Sequence, residues 1–97
     1  MRRVMVRYRV KADRVAEHEA LIRAVFDELA TTSPAGIRYG AWKLPDGLSF
    51  VHVAFVEAES NPLNAIAAFA AFTEKIKERC DEPPTTVDLA SVGMYGF

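Results

Sequence analysis

Residues 37–56 read IRYGAWKLPDGLSFVHVAFV, and this stretch carries the strongest fold signal in the chain. Two apolar runs, Ile37 to Leu44 and Leu48 to Val56, flank a Pro-Asp-Gly tripeptide at 45–47. Both runs are rich in β-branched and aromatic residues, and a Pro-Asp-Gly insert between such runs is typical of a tight turn. The stretch therefore predicts two antiparallel strands joined as a hairpin.

One strand and one helix are predicted before this hairpin. From Val4 to Val10, one face of the predicted strand is apolar and the other carries mainly arginines, as in a half-buried strand. Asp13 is the expected N-cap of a helix that runs to about Ala30, because one arc of its helical wheel is apolar. The cluster at 31–36, which contains a proline and a glycine, ends this helix.

A second helix and a last strand are predicted after the hairpin. The Asn-Pro pair at 61–62 matches a capping residue followed by proline in the first helical turn. Apolar residues then recur at helical spacing up to the proline pair at 83–84. The last strand is predicted from Thr85 to Phe97, with an interruption or bulge near Gly93 and Gly96.

The predicted order is β, α, β, β, α, β, which indicates an α+β protein of the ferredoxin-like type. Right-handed crossovers place both helices on one face of a four-stranded antiparallel sheet. The sequence contains no internal repeat, low-complexity tract or long linker. We therefore expect residues 1–97 to form a single domain.

The third strand is apolar on both of its faces, which is unusual for a sheet with one wet face. Val51, Val53 and Phe55 fall on the face away from the helices. Trp42 and Leu44 of the second strand join them if they share that face. Because monomers rarely expose an apolar patch of that size, we expect a homodimer that covers the open sheet face.

Composition excludes several classes of partner. The 97 residues include 12 basic and 13 acidic side chains, so the chain has no strongly positive field for nucleic acid. No segment approaches the roughly 20 apolar residues of a membrane span, and the N-terminus lacks the apolar block of a signal peptide. One cysteine and two histidines fall at no structural zinc spacing. We expect a cytoplasmic protein without nucleic acid, membrane or metal partners.

The two histidines are the leading candidates for chemistry. His18 falls in the apolar arc of the first helix, and His52 alternates with Phe50 and Ala54 on the third strand. An inward imidazole can orient or deprotonate a bound phenol, since its pKa lies near neutrality. The alternative is that both are buried structural histidines with satisfied hydrogen bonds. If they share the helix-facing side, they flank one pocket.

Several aromatic residues are candidates for binding a ligand. Tyr8 offers a phenolic hydroxyl, while Phe26, Phe69 and Phe72 are candidate pocket walls. The alternative for all four is plain hydrophobic core. Trp42 is expected at the dimer contact.

Other polar groups are given structural interpretations. Cys80 is expected to be inert at the end of the second helix. The mixed charges at 74–79 indicate a solvated helix face. Arg7 and Arg9 are expected to pair across strands with residues such as Asp88.

The chain resembles the dimeric α+β barrel superfamily, and in particular antibiotic biosynthesis monooxygenase-like domains. The resemblance rests on VRYRVK in the first strand, the acidic helix, the hairpin, the NPL helix start and the terminal VGMYGF. It implies a homodimer whose two sheets pack into a barrel, with a ligand between sheet and helices in each subunit. No catalytic residue is carried over, because members that oxidise aromatic molecules or haem use an asparagine and a tryptophan that this chain does not match.

This resemblance implies a cofactor-independent monooxygenase acting on small aromatic or polyketide-like molecules. A cofactor-independent reaction is also expected because the sequence has no Gly-rich phosphate loop. In this hypothesis His18 or His52 acts as the base. The alternative is a non-catalytic module for small-ligand binding or assembly, in which the histidines are structural.

Overall fold

The structure, a computed structural model, describes all 97 residues. Its elements follow the predicted order: β1 (Arg2–Val10), α1 (Val15–Thr32), β2 (Ile37–Lys43), β3 (Ser49–Val56), α2 (Ala67–Thr73), α3 (Ile76–Arg79) and β4 (Cys80–Asp88). Short 3-10 turns at Ala12–Arg14 and Pro62–Ala65 precede α1 and α2. No helix combines the length and the apolar character needed to cross a bilayer.

The four strands form one antiparallel sheet in the order β2-β3-β1-β4. The helices pack on one face of it, where Tyr8 and Phe50 of the sheet meet Val25 of α1 and Phe72 of α2 in the hydrophobic core. This arrangement confirms the predicted ferredoxin-like α+β fold.

The hairpin forms as predicted, and Asp46 fixes its turn. The Asp46 carboxylate accepts hydrogen bonds from the backbone N–H groups of Leu48 and Ser49 and from the Ser49 hydroxyl, at 2.9, 2.8 and 2.6 Å. These bonds lower the pKa of Asp46 to about 2. Gly47 takes the positive φ of 74° that the turn requires.

Alternation along β3 separates the two faces of the sheet. Phe50, His52 and Ala54 are buried toward the helices, whereas the odd-numbered residues Val51, Val53 and Phe55 are only partly buried on the open face. In the strand register Trp42 lies opposite Val51, and Trp42 is 58% exposed. The β3 part of the open face is therefore apolar, as the sequence predicted, and it is flanked by arginines that lie opposite Val51 and Phe55.

The second helical region differs from the prediction. Asn61 caps its start as expected, since its side chain accepts a hydrogen bond from the backbone N–H of Leu63 at 3.0 Å. However, α2 ends at Thr73, and Lys75 adopts a left-handed conformation with φ 60° before α3 begins. The apolar spacing predicted one continuous helix. The break gives no sign in the sequence, because the residue in the left-handed conformation is a lysine and not a glycine.

The last strand also differs, because β4 runs from Cys80 to Asp88 instead of from Thr85 to Phe97. It therefore contains the prolines at 83–84, which an edge strand tolerates because one side of its backbone has no strand partner. Residues 89–97 form no strand, so the predicted bulge near Gly93 and Gly96 was wrong. The register irregularities lie instead opposite Arg7 to Val10 of β1.

Two further local predictions need correction. Asp13 lies inside the 3-10 turn and does not cap α1, whose first residue is preceded by Arg14 without a side-chain capping bond. Arg9 does pair across strands, but with Asp81 and Glu82 at 2.8 and 3.4 Å. Asp88, the expected partner, lies 3.6 Å from Arg2.

We expect Glu28→Ala to destabilise the fold by about 1 kcal/mol. The Glu28 carboxylate on α1 accepts hydrogen bonds from the backbone N–H groups of Ala67 and Ala68, at 3.1 and 2.9 Å. It thereby satisfies the first turn of α2, and the variant leaves these donors without a partner. Chemical denaturation measures the change, with Asp27→Ala on the same helix as the control. Equal stabilities of the two variants would contradict this role.

Candidate functional site

A cavity of about 300 Å³ lies between the sheet and the second helical region. This is about twice the ~150 Å³ of an engineered cavity that binds benzene, so it offers room for a molecule of about two fused rings. Its wall is mainly apolar and aromatic: Val4, Val6, Tyr8, Tyr39, His52, Ala54, Leu63, Phe69, Phe72, Ile76 and Pro84. The polar residues Asn61, Thr73 and Thr86 complete it, and Arg2 is its only charged residue.

Three neighbouring strands bring polar rings together on the helix-facing side. Tyr8 belongs to β1, His52 to β3 and Tyr39 to β2. In the register His52 lies opposite Val6 on one side and opposite Ala41 on the other. Tyr8 and Tyr39 are each two residues along from these positions, so all three side chains point to the same face.

These rings form a continuous hydrogen-bonded chain with His18. The Tyr8 hydroxyl lies 2.6 Å from Nε2 of His18 and 2.6 Å from Nε2 of His52. The other nitrogen of the second ring, His52 Nδ1, lies 2.6 Å from the Tyr39 hydroxyl. We call the four rings of Tyr8, His18, His52 and Tyr39, together with the side chain of Arg79, the relay.

Arg79 joins the relay at the far end from the cavity. Its Nε donates to His18 Nδ1 at 3.1 Å, and its two terminal nitrogens donate to the backbone carbonyls of Glu74 and Phe72. Arg79 is only 3% exposed and forms no ion pair with a carboxylate. All three of its hydrogen bonds are therefore with neutral groups.

The four rings of the relay are uncharged at neutral pH. Burial lowers the pKa of His18 to about 4, and the positive charge of Arg79 lowers it further in the same direction. Burial, followed by the influence of His18, likewise lowers the pKa of His52 to about 4. Burial raises the pKa of both Tyr8 and Tyr39. The site thus offers neutral imidazoles and neutral phenols.

The structure places the predicted site residues in three positions. Tyr8, His52, Phe69 and Phe72 line the cavity. His18 is completely buried behind Tyr8 and does not reach the cavity wall. The remaining candidate, a phenylalanine of α1, lies outside the cavity wall. The two histidines do share the helix-facing side and are joined through one tyrosine hydroxyl.

Phe26 lies outside the cavity, although it was predicted to line it. Its ring stacks on the Tyr39 ring, with centroids 5.2 Å apart and an interplanar angle of 8°. It borders a separate surface hollow with Leu29 and Ile37. Phe26 therefore supports Tyr39 from behind.

Tyr39 and Arg79 belong to the site but are not among the residues that the sequence predicted for it. The predicted hairpin contains a signal for Tyr39, because the pairing of β2 with β3 places this residue beside His52. Arg79 was assigned to a solvated charged face, which was wrong because the break at Lys75 rotates the following turn inward. Cys80, the next residue, is buried at the start of β4, and burial raises the pKa of its thiol.

Comparisons with known proteins support the fold. No family model and no curated protein matches the chain. Among solved structures, an antibiotic biosynthesis monooxygenase is 18% identical with a TM-score of 0.67, over 96% of this chain and 100% of the other. Rv0793 from Mycobacterium tuberculosis is 18% identical with a TM-score of 0.72, over 96% of both chains.

A third solved structure has a comparable TM-score. It is a mutant of SnoaB, a cofactor-independent oxygenase from Streptomyces nogalater, and is 14% identical with a TM-score of 0.69 over 99% of this chain and 97% of that one. At these identities the likeness shows the fold alone. The chain has the fold of antibiotic biosynthesis monooxygenase-like proteins, which confirms at the level of fold the resemblance seen in the sequence.

The lowered histidine pKa values predict acid sensitivity. An unfolded histidine binds a proton below a pH of about 6.5, whereas the folded rings bind one only below about 4. The unfolded state therefore binds more protons between these values, so the free energy of unfolding falls as the pH falls from 7 to 5. We expect a loss of about 1 to 2 kcal/mol for each histidine.

Denaturant unfolding at several pH values measures this loss, and NMR titration of the His18 and His52 ring protons provides an independent check. Ring signals that titrate near pH 6.5 in the folded protein would contradict the assignment. So would a free energy of unfolding that stays constant from pH 7 to 5.

Proposed function

We propose that this chain is a cofactor-independent monooxygenase that acts on a small aromatic or polyketide-like molecule in the cavity. The observation that carries the proposal is the combination of an aromatic cavity for about two rings with hydrogen-bonding Tyr39 and His52 on its wall. The fold shared with SnoaB supports it. Molecular oxygen is the only co-reactant the proposal requires.

A naphthol shows how such a reaction balances. When 1-naphthol becomes 1,4-naphthoquinone, one oxygen atom of O₂ becomes the new ring carbonyl. The other oxygen leaves as water with the displaced ring hydrogen and the hydroxyl hydrogen. The protein's part is to hold the electron-rich ring in an apolar cavity and to stabilise charge that develops on its oxygen.

The two candidate histidines differ in their access to the ligand. His52, like Tyr39, lines the cavity and is placed to contact a bound ring. His18 acts through Tyr8 and is a positioning residue, because it has no access to the cavity. Phe69 and Phe72 supply apolar contact for the ring face.

We expect O₂ uptake with 1-naphthol or a related two-ring phenol, and His52→Gln to lower the rate about tenfold or more. Removing the imidazole takes away the group that orients the Tyr39 hydroxyl. An oxygen electrode measures uptake, and mass spectrometry after reaction under labelled O₂ measures transfer of one oxygen atom. Asp27→Ala, on the exposed side of α1, is the control. Uptake that His52→Gln leaves unchanged would contradict the proposal.

The alternative function is a non-catalytic module that binds a small ligand. It is favoured by one observation, namely that both ring nitrogens of His18 and of His52 already have protein partners. Such rings can serve to fix the cavity wall without reacting. Saturable binding of 1-naphthol without O₂ uptake would select this alternative over the monooxygenase.

We propose further that residues 1–97 act as one antibiotic biosynthesis monooxygenase-like domain within a homodimer. The open face presents Val51, Val53 and Phe55 next to the exposed Trp42. The Trp42 ring lies directly over Gly40, where an added Cβ would come within 2.4 Å of it. A second copy offers the same apolar face, and burying on the order of 1,500 Å² would give a stable contact.

We expect light scattering to give a mass of about twice 10.8 kDa for the purified protein at micromolar concentration. Val53→Glu places a charge near the centre of the open face and is expected to yield a folded monomer, because a contact between the two faces would strip the carboxylate of its water. Ala24→Glu on the exposed side of α1 is the matched control and should remain dimeric. A wild-type mass of one chain would refute the dimer.

A further inference from the structure

The direction of every hydrogen bond in the relay follows from Arg79. A guanidinium has donors only and stays protonated, so Arg79 Nε must donate to His18 Nδ1. That nitrogen must therefore carry no proton. A neutral imidazole then holds its proton on Nε2, and His18 Nε2 donates to the Tyr8 hydroxyl oxygen at 2.6 Å.

The order of donors and acceptors continues from Tyr8 to the cavity. Since the Tyr8 oxygen accepts from His18, its own proton is available for His52 Nε2 at 2.6 Å. His52 then carries its proton on Nδ1, which donates to the Tyr39 oxygen at 2.6 Å. Each buried donor thereby meets an acceptor, as buried polar groups require.

The opposite direction is excluded at the buried end. If Tyr39 donated to His52, the order would reverse through Tyr8, and His18 would carry its proton on Nδ1. That proton would face the Arg79 Nε–H at 3.1 Å, leaving two buried donors opposed. A doubly protonated His18 has the same conflict and adds a second positive charge. In the neutral relay, the Tyr39 oxygen therefore accepts from His52 Nδ1, and Tyr39 does not donate to His52.

One proton of the relay has no acceptor in the protein. The Tyr39 hydroxyl accepts from His52 Nδ1 and has no other hydrogen bond, while the Tyr39 side chain lines the cavity. The wall contains no aspartate or glutamate that could receive this proton, and its only charged residue is Arg2. The free proton of Tyr39 is thus available to an occupant of the cavity.

We propose that Tyr39 is the hydrogen-bond donor that selects the ligand, which presents an acceptor oxygen to it: the carbonyl oxygen of a ring ketone or quinone, or a phenolate oxygen. This rests on the proposed function only in that a small molecule occupies the cavity. Arg79 positions the donor through the relay without touching the ligand. A ligand that offers only an N–H donor or a hydrocarbon edge at this point leaves the Tyr39 proton unpaired and binds more weakly.

NMR of protein carrying nitrogen-labelled histidine tests the direction of the relay without any ligand. We expect His18 to be protonated on Nε2 and His52 on Nδ1, because the two tautomers have different ring nitrogen shifts. In Arg79→Gln the side-chain oxygen can accept a hydrogen bond, so we expect mixed tautomers at both rings. Wild-type protein with the reverse tautomers, or with a charged His18 at neutral pH, overturns the proposal.

A matched pair of two-ring probes tests the ligand class. α-Tetralone carries a ring carbonyl, and tetralin is the corresponding hydrocarbon. We expect wild-type protein to bind α-tetralone more tightly than tetralin, and Tyr39→Phe to weaken α-tetralone binding by about 3- to 10-fold while leaving tetralin unchanged. Calorimetry measures both dissociation constants. Tyr95→Phe is the control, since Tyr95 is 99% exposed on the C-terminal segment.

The outcomes separate this inference from the proposed function. Equal binding of the two probes to wild-type protein, or equal loss for both in Tyr39→Phe, overturns the role of Tyr39. Selective α-tetralone binding without O₂ uptake from any two-ring phenol leaves the donor role standing and removes the monooxygenase. Binding of neither probe overturns the ligand class.

Discussion

A buried guanidinium that can only donate determines the order of the hydrogen bonds in this protein. Burying a positive charge without a paired carboxylate is costly, so Arg79 must be compensated by other groups. The carbonyls of Phe72 and Glu74 at the end of α2 supply this together with His18. These carbonyls are free because α2 stops at Thr73, where the chain leaves the helix. The helix break and the buried charge therefore depend on each other.

Burial is the main reason why the two histidines are neutral at pH 7. It lowers the pKa of His18, which Arg79 lowers further, and it lowers the pKa of His52, to which His18 also contributes. The tyrosine hydroxyls connect these rings across β1, β2 and β3, so the polar wall of the cavity is one connected unit. Networks of this kind are stable when every member has a partner. Here only the Tyr39 proton is left over, and it belongs to the end that lines the cavity.

The sequence was sufficient for the features that depend on local periodicity. Alternation along β3 predicted which side chains face the helices, and the Asp46 turn fixed the register of the hairpin. The left-handed Lys75 was not predictable, because any residue is rare in that conformation and lysine gives no signal for it. The left-handed Lys75 changes the direction in which the side chains of the following helical turn point. Arg79, which was predicted to lie at the surface, is therefore buried. Nothing in the local sequence around Tyr39 marks it as a site residue, since its place beside His52 depends on the pairing of β2 with β3.

Strand β3 contributes to both proposed roles of the sheet, ligand binding and dimer assembly, because its residues alternate between the two faces. His52 and Ala54 face the cavity, while Val51 and Val53 face the open side. A second copy packed on the open side would remove water from behind the strand that carries His52 without touching the cavity itself. Because water competes for backbone and side-chain hydrogen bonds, excluding it there would favour a fixed geometry for the relay. Odd and even residues of β3 face opposite sides of the sheet. Separate substitutions on this one strand can therefore alter dimer assembly or ligand binding.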